Sequence, residues 1–217
     1  MRVFVIGAAG GVGRRLSKLL TGQGHDVTGM HRAPGQAATV EASGATPLLG
    51  DLVHDPVDDL ALRFQRHDAV VFTAGAHGTG SDQTTLIDGK GLEKAAEAAG
   101  LAGVRRFLLV SVFPDAGRGR QPTEGFEHYM RVKKAADVFL TRTGLDWVIV
   151  RPGTLVDNAG EGRVTAGPAI PYGDTRRDDV AAFLAAVLQE PSLNRVVVEV
   201  TSGDEPAVEA VRRLASG

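Results

Sequence analysis

Three side chains of this 217-residue sequence have the types and spacing to move a proton at an oxygen. Tyr129 and Lys133 stand four residues apart, which on a helix puts them on one face. An ammonium beside a phenol favours the phenolate and lowers the tyrosine pKa toward a usable acid or base. Ser111, at the end of an apolar run, could hold a carbonyl or hydroxyl oxygen against the tyrosine. Proton transfer by such a group contributes on the order of 10²–10⁴ in rate. The plainer alternative is a tyrosine packed on a sheet beside a solvated lysine, and the Y-x-x-x-K spacing alone does not separate the two.

A second constellation lies near the start. An apolar run at residues 3–6 leads into Gly7-Ala8-Ala9-Gly10-Gly11-Val12-Gly13 and then Arg14-Arg15-Leu16. Glycines that end a strand and open a helix gather backbone N–H groups around a phosphate, at the positive end of the helix dipole. The G-x-G-x-x-G dinucleotide fingerprint fails because Ala9 takes its second glycine position, whereas Gly7, Gly10 and Gly13 fit G-x-x-G-x-x-G. A tight strand–helix turn with small residues is the alternative. An acidic residue ending the second strand would bind the ribose 2′-hydroxyl of NAD. That strand ends Met30-His31-Arg32 instead, and an arginine there suits a 2′-phosphate, which favours NADP over NAD. The other reading of Arg32 is a solvated loop residue.

The elements that must position these groups are legible as alternation. Continuous apolar runs at 3–6, 27–30, 47–49, 69–73, 107–112, 147–150 and 196–200 read as strands buried on both faces. Helical stretches are expected at 11–22, 34–42, 56–65, 84–99, 124–143, 177–188 and 206–214, with Gly22, Gly44, Gly100 and Gly144 at helix ends. Alternation of this kind gives right-handed βαβ units and one doubly wound parallel α/β sheet with helices on both faces, a Rossmann domain over residues 1–217. Ligands of such sheets sit outside the carboxyl ends of the strands. Those ends carry Asp51 and Leu52, able to meet an adenine; Ala74 and Gly75, small enough for a close approach; then Ser111; and Arg151-Pro152-Gly153. Asp51 could instead cap the next helix. Residues 113–125 and 153–174 break the rhythm and are expected to be long loops on the substrate side.

Composition narrows the classes. Twenty-eight glycines in 217 residues exceed the usual share but show no three-residue period, which rules out collagen. Absence of cysteine removes thiol catalysis, disulfides and cysteine metal sites. The six histidines have no ligand spacing, so no metal is expected. His77 and His128 are the two that could reach a substrate, Arg118 and Arg120 could attract an anion, and Phe113, Phe126 and Tyr172 are candidate pocket walls. A net charge of −2 gives no bulk case for nucleic acid or an acidic membrane. With no run able to span a bilayer and no leader-like start, the expectation is a cytoplasmic monomer or small homo-oligomer acting on a small molecule.

The glycine turn, Gly50-Asp51-Leu52, Arg106-Phe107 through Ser111, Tyr129 with Lys133, Gly144-Leu145-Asp146 through Pro152-Gly153, and Arg177-Asp178-Asp179-Val180-Ala181 together resemble the atypical short-chain dehydrogenase/reductases, over essentially the whole chain. That resemblance implies an NADP-dependent oxidoreductase, or an epimerase or dehydratase using the same residues. It implies Ser111, Tyr129 and Lys133 as the catalytic set. Lys133 and the segment comprising Gly7, Ala9, Gly10, Gly11, Val12 and Gly13 would contact the cofactor, as would His31, Arg32, Asp51, Leu52, Ala74 and Gly75. Pro152 and Gly153 would line the nicotinamide carboxamide. One departure is Gly89 after Asp88, where the family often has an aromatic residue. The competing class is a non-catalytic NADP-binding sensor that reports to a protein partner.

Overall fold

Successive strand residues point to opposite faces of a sheet, and in the first strand both faces are covered. Val3 and Val5 belong to one buried apolar cluster, Phe4 and Ile6 to another. The computed structural model describes residues 1–76, 78–114, 116 and 123–217. In chain order its elements are β1 (Arg2–Ile6), α1 (Gly11–Gly22), β2 (Asp26–His31), a 3-10 turn (Pro34–Gln36), α2 (Ala37–Glu41), β3 (Thr46–Leu49), α3 (Val57–Phe64) and β4 (Ala69–Phe72). Then come α4 (Ser81–Thr84), a π-helical segment (Thr85–Gly91), α5 (Leu92–Leu101), β5 (Arg106–Val110), α6 (Glu124–Thr141) and β6 (Asp146–Pro152). The remainder is β7 (Thr154–Val156), β8 (Arg163–Gly167), β9 (Asp174–Arg176), α7 (Arg177–Gln189), β10 (Val196–Ser202), β11 (Glu205–Pro206) and α8 (Ala207–Ala215).

The main sheet runs β11-β8-β10-β6-β5-β4-β1-β2-β3, parallel from β10 through β3. Helices α1, α7 and α8 cover the face that holds Val3 and Val5, through Leu16, Leu20, Phe183, Leu184 and Val211. Helices α3, α5 and α6 cover the other, through Leu60, Phe64, Leu92 and Leu140 against Phe72, Phe107 and Ile149. Burying a side chain of this size contributes about 1.5–3 kcal/mol, so the two layers supply most of the folding force. The expected single-domain doubly wound sheet is what forms.

Two details differ from expectation. Residues 153–174 are not one long loop: β8 pairs antiparallel with β10 and β11, and β7 pairs with β9 in a separate two-stranded sheet. Strand β8, next to the sheet's edge, has only five residues and alternates exposed with buried positions at its start, so it lacks the continuous apolar run by which the central strands are recognised. Helix 84–99 is also composite, with α4 and α5 joined through the π-helical segment. The chain reverses direction across the sheet between β1 and β4. Register Ile6↔Met30 and Ile6↔Phe72 brings Gly7, His31 and Thr73 to the same carboxyl edge.

Candidate functional site

At that edge two cavities share Thr73, Ala74 and Gly75. The first, about 340 Å³, lies over the β1–β2–β3 ends and is lined by Gly7, Ala9, Gly10, His31, Arg32, Asp51 and Leu52 among others. The glycine turn that floors it is forced by close packing. Gly7 has φ +82°, a left-handed conformation, and a Cβ there would meet the Ala74 backbone at 2.7 Å. Gly13 presses on the Gly7 carbonyl and Thr73, while Val12 is buried in the core beneath. Gly10, the N-cap of α1, has no side chain to satisfy the N–H groups of the helix start, which leaves them to an anion.

The mouth of this cavity is rigid in its backbone and cationic at its rim. Gln36 Oε1 accepts from the N–H groups of Arg32 and Ala33 at 3.2 and 3.0 Å, and His31 Nδ1 lies 3.0 Å from the Ala33 carbonyl. His31 is buried and Arg32 exposed. Asp51 is drawn inward: Oδ1 accepts from Val53 N–H at 2.8 Å, and Oδ2 lies 2.9 Å from His54 Nδ1. Partial burial pushes its carboxyl up, but the hydrogen bonds from His54 and the local backbone outweigh that and hold it below the usual value.

The second cavity, about 550 Å³, brings together Ser111, Tyr129 and Lys133, with Asp88, Phe126, Leu155 and Arg177 also in its wall. Helix α6 carries Tyr129 and Lys133; its N-cap Thr123 accepts from Phe126 N–H at 3.2 Å, which fixes where the helix begins and so which residues face the sheet. Lys133 is buried, donates to the Val110 carbonyl at 3.1 Å, and stands 3.5 Å from Asp88 Oδ1. Asp88 Oδ2 accepts from Ala76 N–H at 2.9 Å, tying the π-helical segment to the loop after β4. Ser111 Oγ donates to Asp137 Oδ1 at 2.6 Å, and Asp137 Oδ2 accepts from Arg151 Nε and Nη2 at 3.0 and 2.9 Å.

The ammonium does not lower the tyrosine. Burial pushes the Tyr129 phenol above its ordinary value, and the carboxylates of Asp88 and Asp137 add to the shift. Lys133 is turned to Val110 and Asp88, so Tyr129 is a protonated donor at neutral pH. Burial likewise raises Asp137, against the lowering by Ser111 and Arg151.

The remaining expectations divide. Pro152 and Gly153 line neither cavity: Pro152 pairs with Val200 in the sheet, and Gly153 N–H is taken by the Val200 carbonyl at 3.0 Å and the Thr175 hydroxyl at 2.9 Å. The chain stays in the sheet to the end of β6, and Leu155 of β7 stands at the second cavity instead. Phe113 is buried against Tyr172, ring centroids 5.3 Å apart, and neither lines the cavity. His128 hydrogen-bonds Thr85 at 2.8 Å. His77, Arg118 and Arg120 lie outside the described residues. Sequence reasoning missed Asp88, Asp137 and Arg177. A Cβ on Gly11 would meet Arg177 Cδ and Nε at 2.7 Å, so that arginine lies directly on the glycine turn, its guanidinium 3.0 Å from Asp157. Gly89 is explained by packing, since a Cβ there would meet Val132 of α6 at 3.2 Å.

Residues 7–191 match the family described as NAD(P)H-binding. The chain belongs to this family. A curated relative from Bacillus subtilis (strain 168), the uncharacterized sugar epimerase YhfK, is 38% identical over 216 residues, covering 99% of this chain and 100% of its own. A solved structure from Bacillus halodurans, named for the NAD-dependent epimerase/dehydratases, is 35% identical with a TM-score of 0.89, covering 99% of this chain and 100% of that one. The oxidoreductase ylbE from Lactococcus lactis, 24% identical over 100% of this chain and 98% of its own, shares the fold at a TM-score of 0.87. These relatives fit the atypical short-chain dehydrogenase/reductases, an NAD(P)-binding oxidoreductase and epimerase group. Among the described residues no helix is long and apolar enough to cross a membrane.

Proposed function

We propose that the protein is an NADP-dependent oxidoreductase that reduces a carbonyl carbon of a small substrate. The reading rests on one observation above all: the cavity holding Ser111, Tyr129 and Lys133 adjoins the cavity over the glycine turn, the two sharing Thr73, Ala74 and Gly75 in their walls. A dinucleotide would span that pair of cavities. Its adenosine end would lie by Asp51 and Leu52, its 2′-phosphate by Arg32, and its diphosphate by the α1 N-terminus and Arg177. The cofactor supplies a hydride from its nicotinamide. Tyr129 donates its phenolic proton to the substrate oxygen, so that the carbonyl becomes an alcohol. An ammonium has three N–H groups, and after serving Val110 and Asp88 Lys133 can offer another to a ribose hydroxyl. Ser111 meets the oxygen-bearing part of the substrate, and Thr123, Gly125 and Leu155 flank it.

Tyr129 is protonated at neutral pH and so enters the reduction as the donor. An epimerase working through transient oxidation would use the same three residues, starting from a Tyr129 phenolate in place of the phenol. Replacing Tyr129 by Phe is expected to leave NADPH binding intact and to slow carbonyl reduction by on the order of 10²-fold or more. Unchanged turnover would overturn the mechanism, and loss of NADPH binding would move Tyr129 from chemistry to cofactor contact.

A further inference from the structure

The proton of Ser111 is already committed. Its Oγ and Asp137 Oδ1 are 2.6 Å apart, both residues are buried, and a carboxylate can only accept. Ser111 is held there from three sides. Its N–H donates to the Val150 carbonyl at 2.7 Å, the register Val110↔Val150 sets it beside Arg151, and Arg151 grips the other oxygen of Asp137 with two N–H groups. Asp137 follows Tyr129 and Lys133 at the same four-residue interval on α6, so one helix face carries all three.

We propose that Asp137 is a positioning residue that takes the Ser111 proton, so that Ser111 shows the cavity only lone pairs and selects substrates with a hydroxyl donor beside the reacting carbonyl, such as α-hydroxy ketones. This rests on the oxidoreductase reading. The reacting carbonyl oxygen accepts from Tyr129, while the adjacent hydroxyl donates to Ser111. A vicinal dicarbonyl sets a second acceptor against an acceptor, and that contact goes unmade.

Asp137→Asn reverses the polarity. Arg151 has donors only, so the Asn carbonyl must face it; the Asn NH₂ then faces Ser111 and turns the serine proton into the cavity. NADPH-dependent kcat/KM would be measured for acetoin and butane-2,3-dione with the wild type, D137N, S111A and the double variant. The acetoin-to-dione ratio is expected to fall about tenfold in D137N, the size of one hydrogen bond, and to be the same in S111A and the double variant. Comparing ratios between variants cancels the greater electrophilicity of the dione, and a merely structural role would lower both probes together. An unchanged ratio, or a shift that persists without Ser111, overturns the proposal. Reduction of other carbonyls with neither probe turned over overturns the substrate class alone. NADPH binding with no carbonyl reduced refutes the oxidoreductase reading itself. Neutron diffraction decides the serine in every case: a deuteron on Ser111 Oγ aimed at Asp137 is expected, and one facing the cavity overturns the assignment.

Discussion

Arg32 offers the sharpest test of which nucleotide binds. Its backbone is fixed by Gln36, its side chain is exposed at the rim of the first cavity, and the one carboxylate in the lining, Asp51, is occupied by His54 and Val53. A 2′-phosphate carries roughly −1.5 to −2 charges at neutral pH. At about 4 Å in a water-like dielectric each unit charge is worth about 1 kcal/mol with a guanidinium, which gives roughly 1.5–2 kcal/mol, or about 10–30-fold in affinity. Arg32→Ala should therefore weaken NADPH by about 10–30-fold and leave NADH within about twofold. The rim is exposed, so screening matters: raising salt from about 0.1 M to 1 M shortens the Debye length from about 10 to 3 Å and should remove most of the NADPH preference. Titration of nicotinamide fluorescence at the two salt concentrations reads the affinities of both nucleotides for the wild type and the variant. Equal losses for the two nucleotides, or a wild type that binds NADH as tightly as NADPH, would refute the reasoning.

Two further outcomes follow from the site. Tyr172→Phe leaves Tyr129 as the only tyrosine, and ultraviolet titration of that variant should show no phenolate in the ordinary tyrosine range; Asp88→Asn should bring the onset down, and a normal onset in the parent contradicts the burial argument. The same shift has a stability consequence with a definite sign. Between the ordinary tyrosine value and the raised one, the folded protein keeps a proton that the unfolded chain has lost, so stability falls as pH rises through that window, and Tyr129→Phe should flatten the slope in denaturant melts. Gly7→Ala should destabilise by at least about 1–2 kcal/mol from the left-handed backbone alone, before the clash with Ala74 is counted. Calorimetry should find Tm lowered by several degrees (about 2–4 °C per kcal/mol at this size), and a Tm equal to wild type would contradict the packing account.

The central fold was legible because burial on both faces leaves an unbroken apolar run, as in Ala69–Phe72 and in Phe107–Val110 of β5. Strand β8 was not, because a strand near the sheet's edge that alternates buried with exposed positions needs only Val164 and Ala166 to be apolar among its first four residues. The π-helical segment was hidden for another reason: a change in winding leaves the apolar spacing of 84–99 close to that of a helix, and Asp88 within it was read only as the residue before Gly89, not as part of the site. Pro152 was expected just beyond its strand and instead closes β6, with Gly153 bending the chain into β7, since a motif gives residue types but not the length of the strand before it.

Asp137 was within reach of sequence reasoning. Tyr129, Lys133 and Asp137 repeat at four-residue steps, and stopping at the first pair missed what the third does to it. A lysine beside a tyrosine was expected to lower the phenol toward a usable acid or base. The structure instead gives Lys133 a carboxylate partner in Asp88 and Ser111 one in Asp137, and burial, with both carboxylates adding to it, raises the tyrosine. The pairing refines the inference drawn from residue types alone: the same three side chains that suggested an acid or a base become a donor, an acceptor and a cation with fixed partners, and it is this fixed polarity that gives the site a preferred pattern of oxygens in its substrate.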